Sequence, residues 1–223
     1  AHGGAVSFLQ TAPVTGGSIP SFSILNCTFA NTSLVTSTAA GGVLYGGAVS
    51  VVLSWPISST SNGDSGLGVI VPHSTSAPAP NAAYFSIDHT SFFDSHVFSA
   101  EGGVYGGALF VLVTNSPTYS LPFVVAVTSC EFYRSVARAH TLLQNTFVYG
   151  AAAAIETVLS PQSAVVQIIV ENCVFDSNAG VLSGSKGTSM SGGLWLSDTS
   201  PITQSSGSFS VLRSQFRNNS LIS

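Results

Sequence analysis

The sequence predicts an all-β chain folded as a parallel β-solenoid of five repeats of about 42 residues. Three observations predict it. A Gly-Gly-Ala string followed by aliphatic residues recurs along the chain, a second string ending in phenylalanine alternates with it five times, and helix signals are nearly absent.

The first string reads Gly3-Gly4-Ala5-Val6, Gly46-Gly47-Ala48-Val49 and Gly106-Gly107-Ala108-Leu109, with degenerate copies at Gly150-Ala151-Ala152-Ala153 and Gly192-Gly193-Leu194-Trp195. Tyr45, Tyr105 and Tyr149 stand just before three of them. The second string reads Cys27-Thr28-Phe29, Thr90-Ser91-Phe92, Cys130-Glu131-Phe132, Cys173-Val174-Phe175 and Ser214-Gln215-Phe216. The phenylalanines are 63, 40, 43 and 41 residues apart and the glycine pairs 43, 60, 44 and 42. One insertion of roughly 18 residues explains the long interval in both series. It falls in the turn-rich stretch 57–81, which holds Asn62-Gly63-Asp64 and Ala77-Pro78-Ala79-Pro80. The repeats then run roughly 1–43, 44–103, 104–147, 148–189 and 190–223, within a single domain.

Aligning the copies on the Cys/Thr/Ser position gives each site a role. Five residues earlier stand Phe22, Phe85, Val125, Ile168 and Phe209, and three earlier stand Ile24, Ile87, Val127, Val170 and Val211. They alternate with smaller residues, as a strand with one buried face requires. The phenylalanine follows two residues after the aligned site, so the inward positions are spaced by three where the blocks meet. A strand cannot change face without bending. A tight corner is therefore expected at Asn26, His89, Ser129, Asn172 and Arg213.

Each repeat thus reads strand, corner, strand, loop, Gly-Gly-Ala strand, loop. Only 136–144 has a helical composition, and it occupies a loop position. Phe29, Phe92, Phe132, Phe175 and Phe216 should form an interior column of stacked rings. Cys27, Cys130 and Cys173 share one inward position and are expected as buried thiols, because parallel side chains one rung apart hold their Cβ atoms beyond the roughly 3.8 Å that a disulfide prefers. The glycine pairs mark places where a Cβ would collide or φ must be positive.

Composition narrows the function. Five Lys and Arg against nine Asp and Glu leave charged residues at 6% of the chain, against about 25% in an ordinary soluble domain. Five scattered cations cannot neutralise a phosphate backbone, so no nucleic-acid partner is expected. At 45% hydrophobic residues the chain is not of a disordered composition, yet no apolar run approaches the about 18 residues of a membrane span. Ser and Thr make up about a quarter of the chain, a surface of hydroxyls that suits glycosylation or a large assembly. Asn26-Cys27-Thr28, Asn31-Thr32-Ser33 and Asn218-Asn219-Ser220 are glycosylation sequons.

The alternation of Gly-Gly-Ala-aliphatic strings with Phe-x-x-Asn resembles the polymorphic membrane protein repeat of bacterial surface autotransporters and other cell-surface proteins. Phe175-Asp176-Ser177-Asn178 and Phe216-Arg217-Asn218-Asn219 match the second motif, Phe29 has its Asn one place early at Asn31, and the Phe92 and Phe132 copies lack it. The resemblance covers the whole chain. It implies a right-handed parallel β-helix with a secreted or surface-displayed role in adhesion or architecture, and it transfers no catalytic or ligand-binding residue.

Candidate chemistry is sparse. The acids Asp88 and Glu171 share the corner region two repeats apart with Thr128 between them, and Asp94 and Asp176 are expected in loops after the phenylalanine. His2, His73, His89, His96 and His140 show no metal-ligand spacing, with His89 at a corner and His96 in a loop. No catalytic residue, cofactor or metal is assigned. Both ends read as apolar and without caps, as expected of a stretch of a longer solenoid or of a unit whose edges pair with further copies. The function expected is an extracellular structural subunit that joins further copies head to tail in a glycosylated filament or surface layer. A cell-surface adhesin and a β-helix lyase, hydrolase or epimerase acting on polysaccharide are the alternatives.

Overall fold

A computed structural model describes residues 4–10, 21–36, 43–54, 83–115, 123–140, 146–159, 166–184, 187–200 and 207–222. Among these there is no helix; the chain is a parallel β-solenoid whose strands form five parallel sheets. The insertion expected at 57–81 lies outside the described residues.

The sheets are named here by their contents. The long sheet stacks Val6–Gln10, Val49–Ser54, Leu109–Asn115, Ala153–Leu159 and Leu194–Asp198. The facing sheet stacks Ser21–Leu25, Ala83–Asp88, Phe123–Thr128, Val166–Glu171 and Gly207–Leu212. The narrow phenylalanine sheet holds Thr28–Ala30, Ser91–Phe93, Glu131–Tyr133, Val174–Asp176 and Gln215–Arg217. The return sheet holds Ser33–Thr36, His96–Ser99, Val136–His140, Ala179–Ser183 and Ser220–Ile222. The tyrosine sheet holds Leu44–Tyr45, Val104–Tyr105, Thr146–Tyr149 and Gly187–Met190.

In the facing sheet the register follows the sequence alignment residue for residue. Phe22 pairs with Phe85, Phe85 with Val125, Val125 with Ile168 and Ile168 with Phe209. A parallel sheet has this register only if one face is buried throughout, and Phe85, Val125 and Ile168 are 1% exposed or less. The main core lies between the long, facing and phenylalanine sheets, and a smaller one of Leu44, Val97, Val104, Ala137, Ala139, Val148, Ala151 and Leu182 lies between the return and tyrosine sheets.

The expected corner is present in every copy. Asn26, His89, Ser129, Asn172 and Arg213 all have φ between 48° and 54°, the left-handed region that reverses the pleat within one residue. A second corner, which the sequence did not disclose, follows the phenylalanine: Asn31, Asp94, Arg134, Ser177 and Asn218 have φ from 50° to 57°.

Three expectations are corrected. The described part of 136–144, expected in a loop, is a strand: Val136–His140 is paired on both sides, with Ala137 and Ala139 buried and Arg138 and His140 outside. Ladder partners on both sides override local propensity. His96 opens a strand and Asp176 closes one, so neither lies in a loop. The fifth glycine string is shifted by one residue: Ala153 pairs with Leu194, which sets Ser191 and not Gly192 opposite Gly150. Ser191 takes a positive φ of 64°, in the range of 60° to 64° that Gly46, Gly106 and Gly150 take elsewhere.

Candidate functional site

The phenylalanine column is continuous. Rings of Phe29 and Phe92 lie 5.3 Å apart, Phe92 and Phe132 4.7 Å, Phe132 and Phe175 4.7 Å, and Phe175 and Phe216 4.8 Å, with interplanar angles of 12° or less. The spacing is that of the strands themselves, so each ring stays in register with its own backbone. In the facing sheet Phe22 stacks on Phe85 at 5.6 Å, and Phe8 of the long sheet meets Phe22 across the interior of the same winding at 4.3 Å.

The Cys/Thr/Ser position has a common bonding pattern. Cys27 Sγ, Thr90 Oγ1, Cys130 Sγ, Cys173 Sγ and Ser214 Oγ each donate to the carbonyl two residues earlier, at 3.0–3.3 Å. That carbonyl precedes the left-handed residue, and the side chain ties the bend together. All three cysteines are free, and Cys130 and Cys173 are fully buried. Contact with Cys173, then burial, pushes the Cys130 thiol above the ordinary thiol range.

The corner asparagines differ in kind. Asn26, Asn31 and Asn218, the sequon residues, sit at positive-φ corners with exposed side chains. Asn178, by contrast, is fully buried and aligns with Asn219, Ser135, Ser95 and Thr32, each three residues after its phenylalanine. The Asn of Phe-x-x-Asn therefore points inward, and Asn31 is the counterpart of Asn218 and not of Asn178.

The acids are held by neighbours one rung away. Asp88 Oδ1 accepts from Thr128 at 2.5 Å, Arg134 clamps Asp94 through two bonds of 2.7 Å, and Arg213 pairs with Glu171. His89 contacts Asp88 at 2.9 Å. Among the described residues no three His, Cys, Asp or Glu side chains converge as a metal site requires, and no helix is long and apolar enough to cross a membrane.

The first and last described windings leave interior ladder positions uncovered within this chain. Phe209, Val211, Phe216 and Leu221 occupy interior ladder positions, yet they are 36%, 43%, 49% and 43% exposed. One rung below, Ile168, Val170 and Phe175 are 1% exposed or less. At the opposite face the same interior columns present Phe22, Ile24, Phe29 and Leu34. Fold and site thus define the class: a parallel β-solenoid with aromatic interior ladders. Comparisons with family models, with characterised proteins and with solved structures find no match.

Proposed function

We propose that this protein is an extracellular structural β-solenoid, a right-handed column of five windings of about 42 residues whose upper face stacks on the lower face of a second copy. Glycans on Asn26, Asn31 and Asn218 clothe the corners of that column. The observation that carries the reading is the match of the two faces. Phe216 on the upper face belongs to the same column as Phe29 on the lower one, Val211 to that of Ile24, and Phe209 to that of Phe22. Continuing the register across the junction buries apolar side chains and adds main-chain hydrogen bonds strand by strand. Such a head-to-tail contact does not close on itself, so it generates an open fibre.

Electron microscopy of the purified chain over a concentration series tests this. Long uniform fibres that Phe216→Lys converts to single rods are expected; single rods at every concentration for the unaltered chain would refute the assembly. Mass spectrometry of secreted material checks the three asparagines for glycan.

A further inference from the structure

Among the described residues, an outward row of the solenoid wall is buried at the corner where the tyrosine sheet meets the long sheet. Along Leu109–Asn115 the side chains alternate, Leu109 and Val111 entering the core while Phe110 points out, yet Phe110 is 0% exposed. Its register partners Ser50 and Ala154 are 1% and 0% exposed. Rings of the neighbouring sheet cover this row. Here the tyrosine sheet meets the long sheet across the left-handed glycines, and the tyrosines preceding those glycines cover the row.

Tyr45 and Tyr105 stack at 5.5 Å and 10°, with Phe110 beneath them at 4.6 and 5.4 Å. One rung on, Tyr149 stands at 71° to Tyr105, at 5.4 Å, and stacks on Trp195 at 4.8 Å. These four rings are only partly buried, so they form the visible lining of the corner. Glu156 lies on the same outward face, two residues beyond Ala154. The Thr199 hydroxyl donates to it at 3.3 Å, and no ion pair among the described residues includes it. Burial holds its carboxyl above the ordinary range, and its charge reaches the Tyr45 and Tyr105 phenols.

We propose that this corner binds an uncharged polysaccharide laid along the solenoid axis. A pyranose has apolar C–H faces and a rim of hydroxyls, and the corner offers aromatic rings beside phenol, carboxylate and hydroxyl groups. The two ring pairs meet at a steep angle, so a flat ligand finds ring faces in one pair and ring edges in the other. The tyrosine ring centroids are spaced by 5.5 and 5.4 Å, close to the length of one sugar in an extended chain, although the ring orientation changes between them. Among the described residues no cation pairs with Glu156, and the chain carries a formal charge of −4, which disfavours acidic glycans. The corner lies on the side wall, so the inference does not depend on end-to-end stacking.

Fluorescence titration tests it. The chain has two tryptophans, and Trp55→Phe leaves Trp195 as the reporter. Linear hexasaccharides of glucose and of N-acetylglucosamine serve as neutral probes, with hexagalacturonate as the acidic one. A saturable change in Trp195 emission with a neutral probe is expected, weakened roughly tenfold by Tyr149→Ala and little by Tyr149→Phe. Should Tyr149→Ala not fold, Glu156→Gln, which removes the charged acceptor, takes its place with the same direction of effect. No response to either neutral probe at millimolar concentration, or a response to hexagalacturonate alone, overturns the proposal.

Discussion

Asn219 Oδ1 accepts two hydrogen bonds from Asn178 in the winding below, one from its backbone N–H at 3.1 Å and one from its side-chain Nδ2 at 2.8 Å. Asn178 passes the pattern down: its Oδ1 accepts from the Ser135 N–H at 2.9 Å, and its Nδ2 donates to the Phe132 carbonyl at 3.1 Å. Each inward asparagine thus satisfies backbone groups that the second corner takes out of the ladder. Asn178→Ala leaves a buried donor and a buried acceptor without partners, at about 1–3 kcal/mol each. A loss of roughly 2–4 kcal/mol in urea unfolding is expected, and a loss below about 0.5 kcal/mol would show that water replaces the amide.

The phenylalanine column makes a graded prediction. Phe132 is fully buried between Phe92 and Phe175, with ring planes at 5° and 0° to its neighbours. Phe132→Ala opens a cavity in a close-packed core and should cost about 3–5 kcal/mol, whereas Phe132→Leu retains most of the volume and should cost less than half of that. Phe216→Ala, at a ring 49% exposed, should cost far less in the isolated chain. Equal losses at Phe132 and Phe216 would contradict the stacking described.

The glycine string is tested by its exception. Gly106 has φ +64°, and a Cβ there would lie 1.9 Å from the Leu109 carbonyl oxygen. Ser191 holds the same φ in the last copy with a side chain present, and its hydroxyl donates to the Leu194 carbonyl at 2.5 Å. Within this chain the strand after Ser191 has a described partner on one side, whereas the strand after Gly106 has partners on both. Gly106→Ala should therefore destabilise by at least about 2 kcal/mol and Ser191→Ala by less, both read as shifts in the thermal midpoint. A smaller effect at Gly106 than at Ser191 would place the strain elsewhere.

What the sequence disclosed, and what it hid, divides by whether one side chain type performs the task. Only a large flat ring fills the column at Phe29, Phe92, Phe132, Phe175 and Phe216, so the period was visible. At the second corner, Thr32, Ser95, Ser135, Asn178 and Asn219 occupy one inward site with three different side chains, and no single letter recurs. The same holds for the left-handed residues beside them, where Asn, Asp, Arg and Ser all appear. The glycine register slipped at Ser191 because two glycines follow it and mimic the motif one place late. The outer aromatic corner was hidden for another reason: Phe110 and Trp195 lie in neighbouring columns to the tyrosines, and their meeting depends on the angle between two sheets.

The thiol column predicts selective reactivity. Cys27 is partly buried, whereas Cys130 and Cys173 are enclosed and bonded to backbone carbonyls. Thiol reactions run through the thiolate, which burial disfavours. In the folded chain an aromatic disulfide reagent should modify Cys27 at most, and all three cysteines only in denaturant. Cys130→Ser should be well tolerated, since Thr90 and Ser214 already bond the corner through hydroxyls at the equivalent place. Rapid modification of Cys130 in the native state would show that this wall opens.

The Asp94–Arg134 clamp bridges two windings at the second corner, and its effect on stability has a defined sign with pH. Hydrogen bonding from Arg134 holds the Asp94 carboxyl below its ordinary value of 3.8, with the guanidinium charge acting in the same direction. A carboxyl whose folded value is lowered contributes stability above the unfolded value and loses it as pH falls through the folded one. The difference in thermal midpoint between the unaltered chain and Asp94→Asn should be constant above about pH 5 and shrink below about pH 4. Both partners are exposed enough for salt to screen them, so the difference should also fall with ionic strength. Arg134 additionally lies 4.7 Å over the Tyr133 ring, a contact that protonating Asp94 does not remove. Arg134→Ala should therefore retain a residual destabilisation at low pH that Asp94→Asn does not show, and loss of both differences together would assign the whole effect to the ion pair.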